Sequence, residues 1–131
     1  MARILLVDDD PATLDVLDFA FQLEGHETTT AVDGQEGLEA AVTVLPDLIV
    51  LDSMMPRMDG LTAARLIRET AELDGIPIIM LTAKAMSSDI WAGWQAGVDS
   101  YITKPLDLDV LRSEMARIGI AAPAPILAGV A

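Results

Sequence analysis

Three stretches of the chain are apolar without interruption, at residues 4–7, 48–51 and 78–81. Hydrophobic and polar positions do not alternate in them, which is typical of strands that are buried on both faces of a sheet. Each run ends at a polar side chain, namely Asp8, Asp52 or Thr82. A shorter run within residues 98–103 carries Tyr101 and stops at Lys104. These runs predict four strands whose carboxyl ends are polar.

The segments between the runs have helical periodicity. Apolar residues recur at helical spacing over residues 12–24, 35–43, 61–69, 89–96 and 107–118, and Thr-rich residues 27–31 fit an edge strand. In the first helix the predicted apolar stripe includes Phe19 and Leu23, and in the fourth helix Trp94 is predicted to point inward. Five strands that alternate with five helices predict an α/β fold, a parallel doubly wound sheet.

Composition narrows the class of protein. The 131 residues fit one aliphatic domain, and the absence of cysteine excludes disulfides and thiolate chemistry. A formal charge of −13 disfavours direct binding to nucleic acid or to an anionic membrane and suits a divalent cation. No apolar run approaches ~20 residues and no signal-peptide pattern is present, so a cytoplasmic protein is expected. Residues 1–118 are predicted to be the domain, and residues 119–131 an Ala/Pro-rich tail or linker.

Polar residues should meet at one edge of this sheet, because the carboxyl ends of parallel strands lie together. The expected set is Asp8, Asp9, Asp52, Thr82 and Lys104. Crowded carboxylates repel one another unless a cation compensates, and Mg²⁺ prefers carboxylate, water and backbone carbonyl oxygens. Lysine and threonine can bind phosphoryl oxygens. The set therefore fits a carboxylate nucleophile that accepts a phosphoryl group.

The chain resembles the receiver domain of two-component response regulators, close to a stand-alone chemotaxis- or sporulation-type receiver, over about residues 1–118. Four blocks carry the resemblance: residues 4–10, Asp52 with 54–60, residues 81–83 and residues 97–105. The resemblance implies a flavodoxin-like fold with strand order 2-1-3-4-5. It also implies a signalling module that assists its own phosphorylation and dephosphorylation but is not an enzyme acting on an external substrate.

The resemblance implies a phosphoacceptor and a metal site. Asp52 would be the phosphoacceptor. Asp9 would bind Mg²⁺, or Mn²⁺, directly, and Asp8 would bind it mainly through water. Asp52 and the backbone carbonyl of Met54 would complete the site.

The resemblance also implies a switch. Lys104 would pair with Asp52 and later with the phosphoryl group, and a cis Lys104–Pro105 bond would aim it. Thr82 would move to bond the phosphoryl group, and Tyr101 would follow inward. Two alternatives stay open: Thr82 could only end its strand, and Tyr101 could be a half-buried tyrosine that never switches.

A sensor histidine kinase or phosphotransfer protein would be the donor. In the family, the surface of the fourth helix, fifth strand and fifth helix carries output and dimerisation, and here the fourth helix offers Ile90 and Trp91 next to Tyr101. An exposed apolar patch there would anchor a downstream protein or a second copy. Alternatively, a shifted helix or the apolar tail covers it.

Two other function classes are alternatives, one that uses the same type of nucleophile and one that has the same architecture. An aspartyl-phosphate phosphohydrolase needs a second Asp two residues after the nucleophile, where this chain has Met54. A nucleotide- or flavin-binding domain needs a Gly-rich loop after the first strand, where the acidic residues that follow would repel phosphate. Of the remaining polar residues, Asp10 and Asp59 are predicted to be helix N-caps, and His26 is predicted to face solvent.

Overall fold

The computed structural model of the protein describes residues 2–83 and 94–120. Five parallel strands form one sheet in the order β2-β1-β3-β4-β5, as predicted. The strands are β1 (Arg3–Val7), β2 (Glu27–Ala31), β3 (Leu48–Asp52), β4 (Ile78–Thr82) and β5 (Ser100–Thr103). The Thr-rich strand β2 is at one edge, which confirms the expectation from its polar sequence.

Helices connect the strands. They are α1 (Pro11–Leu23), α2 (Gly34–Val44), α3 (Gly60–Glu69), the helical residues 94–96, which we label α4, and α5 (Leu108–Arg117). Most of the fourth helix predicted over residues 89–96 lies outside the described residues. None of the helices within residues 2–83 and 94–120 has the length and apolar character needed to cross a bilayer.

An aspartate begins each of the four long helices. The Asp10 and Asp59 side chains accept hydrogen bonds from the backbone N–H groups of Ala12 and Thr62, at 3.1 and 2.8 Å. They satisfy N–H groups that have no partner within the helix, so the predicted N-caps are confirmed. Asp33 and Asp107 cap α2 and α5 in the same way.

Helices cover both faces of the sheet, which explains the uninterrupted apolar runs. Every residue of β3 and of β4 is buried. Successive strand residues point to opposite faces, so Leu5 belongs to the core under α2 and α3 while Leu6 belongs to the core under α1 and α5. The central strands are thereby packed on both faces, and their carboxyl ends lie at one edge of the sheet.

The predicted apolar stripe of α1 was too broad. Leu14, Leu17 and Phe21 are buried, whereas Phe19 is 68% exposed and Leu23 is 51% exposed. The buried residues follow the i, i+3, i+7 spacing of a single helix face, and the two exposed residues project from the opposite face. An apolar side chain on a helix therefore does not by itself identify the face that packs on the sheet.

Two further expectations were wrong. His26 is only 5% exposed, because its Nδ1 accepts a hydrogen bond of 3.0 Å from the Ala2 N–H and its ring meets Phe21 edge-on. Trp94, predicted to point inward, is 47% exposed. A large ring at that position projects from α4 instead of filling the core.

Candidate functional site

Strand register brings the acidic residues together. Val7 of β1 pairs with Leu51 of β3, so the residues that follow them, Asp8 and Asp52, lie side by side. Thr82 pairs with Thr103 at the end of β5, which places Lys104 one residue further at the same edge. The apolar runs in the sequence do not by themselves specify this register. In the structure, the predicted ends of these strands, at Asp8, Asp52, Thr82 and Lys104, lie at the same edge of the sheet.

One ammonium group joins two buried carboxylates. Nζ of Lys104 lies 2.9 Å from Oδ1 of Asp52 and 3.2 Å from Oδ2 of Asp8. Asp8 is 2% exposed and Asp52 is 5% exposed. The other oxygen of Asp8 accepts the backbone N–H of Asp10 at 2.9 Å, which fixes that carboxylate's orientation.

The environment of Asp52 disfavours its charge. Burial raises the pKa of its carboxyl group above the usual range, and the carboxylates of Asp8 and Asp9 add to that effect. The hydrogen bond from Lys104 opposes it, but the net pKa remains raised. Within residues 2–83 and 94–120, three carboxylates therefore lie near one ammonium group, which leaves a surplus of negative charge among these residues.

Lys104 is held by its backbone as well as by its charge. Its N–H donates to the Thr82 carbonyl at 2.7 Å, and the Lys104–Pro105 peptide bond is cis, as predicted. Burial lowers the pKa of the ammonium group, but hydrogen bonds and charge attraction to Asp52 and Asp8 outweigh burial, so its pKa is raised. Lys104 therefore stays cationic.

Asp8, Asp9 and Asp52 can offer oxygens that all lie within 4.8 Å of one another. Asp9 is exposed, so it faces the side from which an ion would enter. Clustered oxygen donors with excess negative charge suit a hard divalent cation, and these residues fit Mg²⁺. Receiver domains bind Mg²⁺ at such an acidic cluster.

A recess of about 270 Å³ adjoins the cluster. Its walls comprise Ser53, Met54, Met55, Asp59, Leu61, Thr82 and Tyr101. Thr82 is buried and Tyr101 is half-buried against the core, whereas the Met54 side chain is exposed. The switch roles of Thr82 and Tyr101 and the metal contact of the Met54 carbonyl remain predictions.

The predicted output residues Ile90 and Trp91 lie outside the described residues. Of the output surface predicted from the sequence, the structure describes Tyr101 on β5.

Sequence reasoning missed one ion pair at this edge. Asp33 follows β2 by two residues and pairs with Arg57, in the loop after Asp52. The sequence patterns considered above did not single out Asp33. The rule that located Asp8, a carboxylate just past a strand end, would also have located Asp33.

Comparison with known proteins identifies the class. Residues 4–116 match the response regulator receiver domain family. The DNA-binding dual master transcriptional regulator RpaA of Synechocystis is 41% identical over 109 residues, which cover 83% of this chain and 45% of RpaA. The chain thus spans about half the length of the curated relatives it matches.

Solved structures agree. The chemotaxis protein CheY4 of Vibrio cholerae superposes with a TM-score of 0.86 at 30% identity, covering 90% of this chain and 98% of CheY4. The receiver domain of the sensor histidine kinase PA1611 of Pseudomonas aeruginosa, solved with magnesium coordinated in its active-site cleft, gives a TM-score of 0.81 at 33% identity. It covers 90% of this chain and 98% of that domain.

The fold, the acidic edge and these similarities define a signalling module. The chain belongs to the response regulator receiver domain family, whose general function is phosphorylation-based signalling in two-component systems. A histidine kinase is the partner that this family implies.

Proposed function

We propose that Asp52 is the phosphoacceptor of this receiver domain. The observation that carries the proposal is the contact between Oδ1 of Asp52 and Nζ of Lys104 at 2.9 Å, with Asp8 beside it and Asp9 within reach of the same ion. An ammonium group at this distance neutralises the carboxylate now and can bind a phosphoryl oxygen once one is attached. The raised pKa of Asp52 makes its carboxylate more basic than an ordinary aspartate.

The transfer of the phosphoryl group is a displacement at phosphorus. A carboxylate oxygen of Asp52 attacks the phosphorus of a phosphohistidine on the donor, a histidine kinase or phosphotransfer protein. The O–P bond forms as the P–N bond breaks, and the imidazole leaves with the electron pair and takes up a proton. In the hydrolysis step, water attacks the phosphorus of the acyl phosphate and the bond between phosphorus and the Asp52 oxygen breaks, which restores the carboxylate and releases inorganic phosphate.

The residues around Asp52 have separate tasks. Bound Mg²⁺ would neutralise charge on the phosphoryl oxygens. Asp9 would hold it directly, Asp8 mainly through water, and the Met54 carbonyl would complete the set. Lys104 binds one phosphoryl oxygen, and the Thr82 hydroxyl donates to another.

The conformational change is transmitted from the site to the surface through β5. When Thr82 moves toward the phosphoryl group, Tyr101 turns inward, because both residues line the recess beside the site. This changes the surface formed by the fourth helix, β5 and α5, where a downstream protein or a second copy binds. The domain acts in the cytoplasm and assists its own phosphorylation and dephosphorylation, with no external substrate.

Intact-protein mass tests the chemistry. The protein is incubated with acetyl phosphate, with and without Mg²⁺, as wild type and as Asp52→Asn. We expect a Mg²⁺-dependent gain of one phosphoryl group in the wild type and none in the variant. An equal gain in mass for Asp52→Asn would mean that another residue is the phosphoacceptor.

A wild type without adduct calls for beryllofluoride, which mimics the acyl phosphate. If beryllofluoride with Mg²⁺ binds, fast hydrolysis removes the phosphoryl group. If it does not bind, the proposal is wrong. An aspartyl-phosphate phosphohydrolase would instead turn over an added phosphomonoester, which this chain, with Met54 in place of the acid/base Asp, should leave intact.

A further inference from the structure

The loop between β3 and α3 contains a strained turn centred on Arg57. The Met58 N–H donates to the Pro56 carbonyl at 2.7 Å, which closes a three-residue turn, and Arg57 at its centre has φ of 64°. A γ-turn with positive φ at the centre is rare and strained. For a residue with a side chain, such a conformation costs on the order of 1 kcal/mol and persists only where neighbouring contacts stabilise it.

Asp33 supplies that contact. The Arg57 guanidinium is exposed, but it forms an ion pair with the Asp33 carboxylate, whose side chain is 2% exposed. The second oxygen of Asp33 accepts the backbone N–H of Glu36 at 2.8 Å and so caps α2. The backbone hydrogen bond from Glu36 and the side-chain hydrogen bond from Arg57 lower the pKa of Asp33, so it remains ionised. The turn is thus tied to the start of a helix.

Backbone packing joins the same turn to α2 and to Asp52. A Cβ on Gly34, the first residue of α2, would lie 2.6 Å from the Met58 carbonyl oxygen. At the far end of the loop, a Cβ on Gly60 would lie 2.3 Å from the Asp52 carbonyl oxygen. A displacement of the turn therefore cannot be absorbed locally and must move the loop that begins at Asp52.

We propose that Arg57 is a positioning residue for the metal site. Its ion pair with Asp33 keeps the loop in the conformation that presents the Met54 carbonyl toward the ion held by Asp9 and Asp52. This inference rests on the proposed function, because it assumes that the cluster binds Mg²⁺. Without the ion pair, Arg57 relaxes toward negative φ and the loop that carries Met54 shifts.

Charge and position predict opposite results for Arg57. Arg57 is cationic, so removing it should, through charge alone, strengthen the binding of a cation to the acidic cluster. If the residue positions the loop, removing it should weaken that binding. The sign of the change in Mg²⁺ affinity therefore separates the two effects.

Calorimetric titration with Mg²⁺ measures the dissociation constant of each variant. We expect Arg57→Ala to raise it about tenfold, as loss of a group that supports metal ligands does elsewhere. Arg57→Gly should stay within about threefold of wild type, because glycine adopts positive φ without strain. Asp33→Asn, which keeps an N-cap but loses the charge, should behave like Arg57→Ala.

Arg65→Ala is the matched control, since Arg65 is exposed on α3 and its loss removes the same charge. It should leave affinity unchanged or slightly tighter. A second readout is hydrogen exchange of the Met58 amide without Mg²⁺, which should accelerate in Arg57→Ala and not in Arg65→Ala. Far-ultraviolet circular dichroism verifies that each variant is folded.

The outcomes are distinguishable. If Arg57→Ala and Arg65→Ala bind Mg²⁺ alike while the wild type binds it and is phosphorylated, the positioning role is wrong and the proposed function stands. Unchanged exchange of the Met58 amide would also overturn the positioning role. If the wild type binds no Mg²⁺ and accepts no phosphoryl group, both proposals fail.

Discussion

The carboxyl ends and the amino ends of the strands differ in how their charged groups are paired. We call these two ends of the sheet the carboxyl edge and the amino edge. At the carboxyl edge, Asp8 and Asp52 share the ammonium group of Lys104, Asp9 lies beside them, and the pKa of Asp52 is raised. At the amino edge, the guanidinium of Arg68 is surrounded by hydrogen-bond acceptors.

The Arg68 contacts are numerous and short. Its Nε donates to the Gly97 carbonyl at 2.8 Å, its Nη1 to the Ile76 carbonyl at 2.8 Å and its Nη2 to the Asp99 carboxylate at 2.8 Å. The same Asp99 oxygen accepts the backbone N–H of Ile78 at 2.8 Å. One side chain thereby joins the end of α3 to the starts of β4 and β5.

The comparison separates stability from chemistry. Balanced charge at the amino edge stabilises the fold, whereas surplus negative charge at the carboxyl edge lowers stability and creates affinity for a cation and a phosphoryl group. The four predictions that follow concern the free energy of unfolding, so that the two edges can be compared on one scale.

Arg68→Ala should have the largest effect. It leaves several carbonyls without this donor and the Asp99 carboxylate without its cationic partner, so we expect the free energy of unfolding to fall by about 3 kcal/mol. Urea denaturation followed by circular dichroism measures it. Arg65→Ala on the same helix should change stability by less than about 0.5 kcal/mol. Equal effects of the two substitutions would mean that the amino edge does not depend on this guanidinium.

Mg²⁺ should correct the imbalance at the carboxyl edge. An ion that binds only the folded state adds about 2.7 kcal/mol at a free concentration of about 100 times its Kd. Urea titrations with Mg²⁺ and with EDTA should show this difference for the wild type. Asp9→Asn should lose most of it. A wild type equally stable in both buffers would show that the surplus charge does not bind the ion.

Asp52→Asn should stabilise the metal-free protein by about 1 kcal/mol at pH 7.5. Burial and the neighbouring carboxylates raise the pKa of Asp52 in the fold, so its ionised form destabilises the folded state. That cost is fully present above the raised pKa, decreases as the pH falls below it and vanishes once the pH is below the pKa of the group in the unfolded chain. The stability difference between variant and wild type should therefore shrink in acid, as chemical denaturation at several pH values would show.

An exposed aspartate provides the control for this substitution. Asp15→Asn on α1 removes the same charge from an exposed residue outside the acidic cluster and should change stability little. A metal-free Asp52→Asn variant that is less stable than wild type would mean that the Lys104 contact outweighs the repulsion.

The carboxyl edge was more predictable from the sequence than the amino edge. Uninterrupted apolar runs indicate strands, and polar residues at their ends must meet in a parallel sheet, so Asp8, Asp52 and Thr82 could be placed at one edge. That rule uses position along the chain and needs no side-chain geometry.

The remaining features depend on geometry that no local pattern contains. Arg68 follows an ordinary helix pattern, and its acceptors come from segments up to 31 residues away. Phe19 and Leu23 are apolar but lie on the face of α1 opposite Leu14, Leu17 and Phe21, and the packing of α1 on the sheet buries only the latter face. His26 lies between Gly25 and Glu27 in no apolar pattern, and its burial results from the pairing of β1 with β2.

His26 is the exception at the balanced edge and gives the smallest predicted effect. Its Nδ1 accepts the Ala2 N–H, so the ring is neutral, and no group within residues 2–83 and 94–120 hydrogen bonds its Nε2. Burial lowers the pKa of His26, which outweighs attraction to Glu24. Above a pH near 6.5, the pKa of histidine in the unfolded chain, the lowered pKa of His26 does not affect the free energy of unfolding. As the pH drops below that value towards the pKa in the folded state, the free energy of unfolding decreases.

Between pH 7.5 and pH 5.5 the wild type should therefore lose less than about 1 kcal/mol to this group. His26→Asn keeps an acceptor for the Ala2 N–H and cannot titrate, so it should lack that loss. Urea denaturation of both proteins at the two pH values measures how the free energy of unfolding of each depends on pH. The contribution of Asp52 is the same in both proteins and cancels in the difference between them. Parallel pH profiles would show that His26 takes up its proton inside the fold without cost, and that the amino edge is balanced even at this residue.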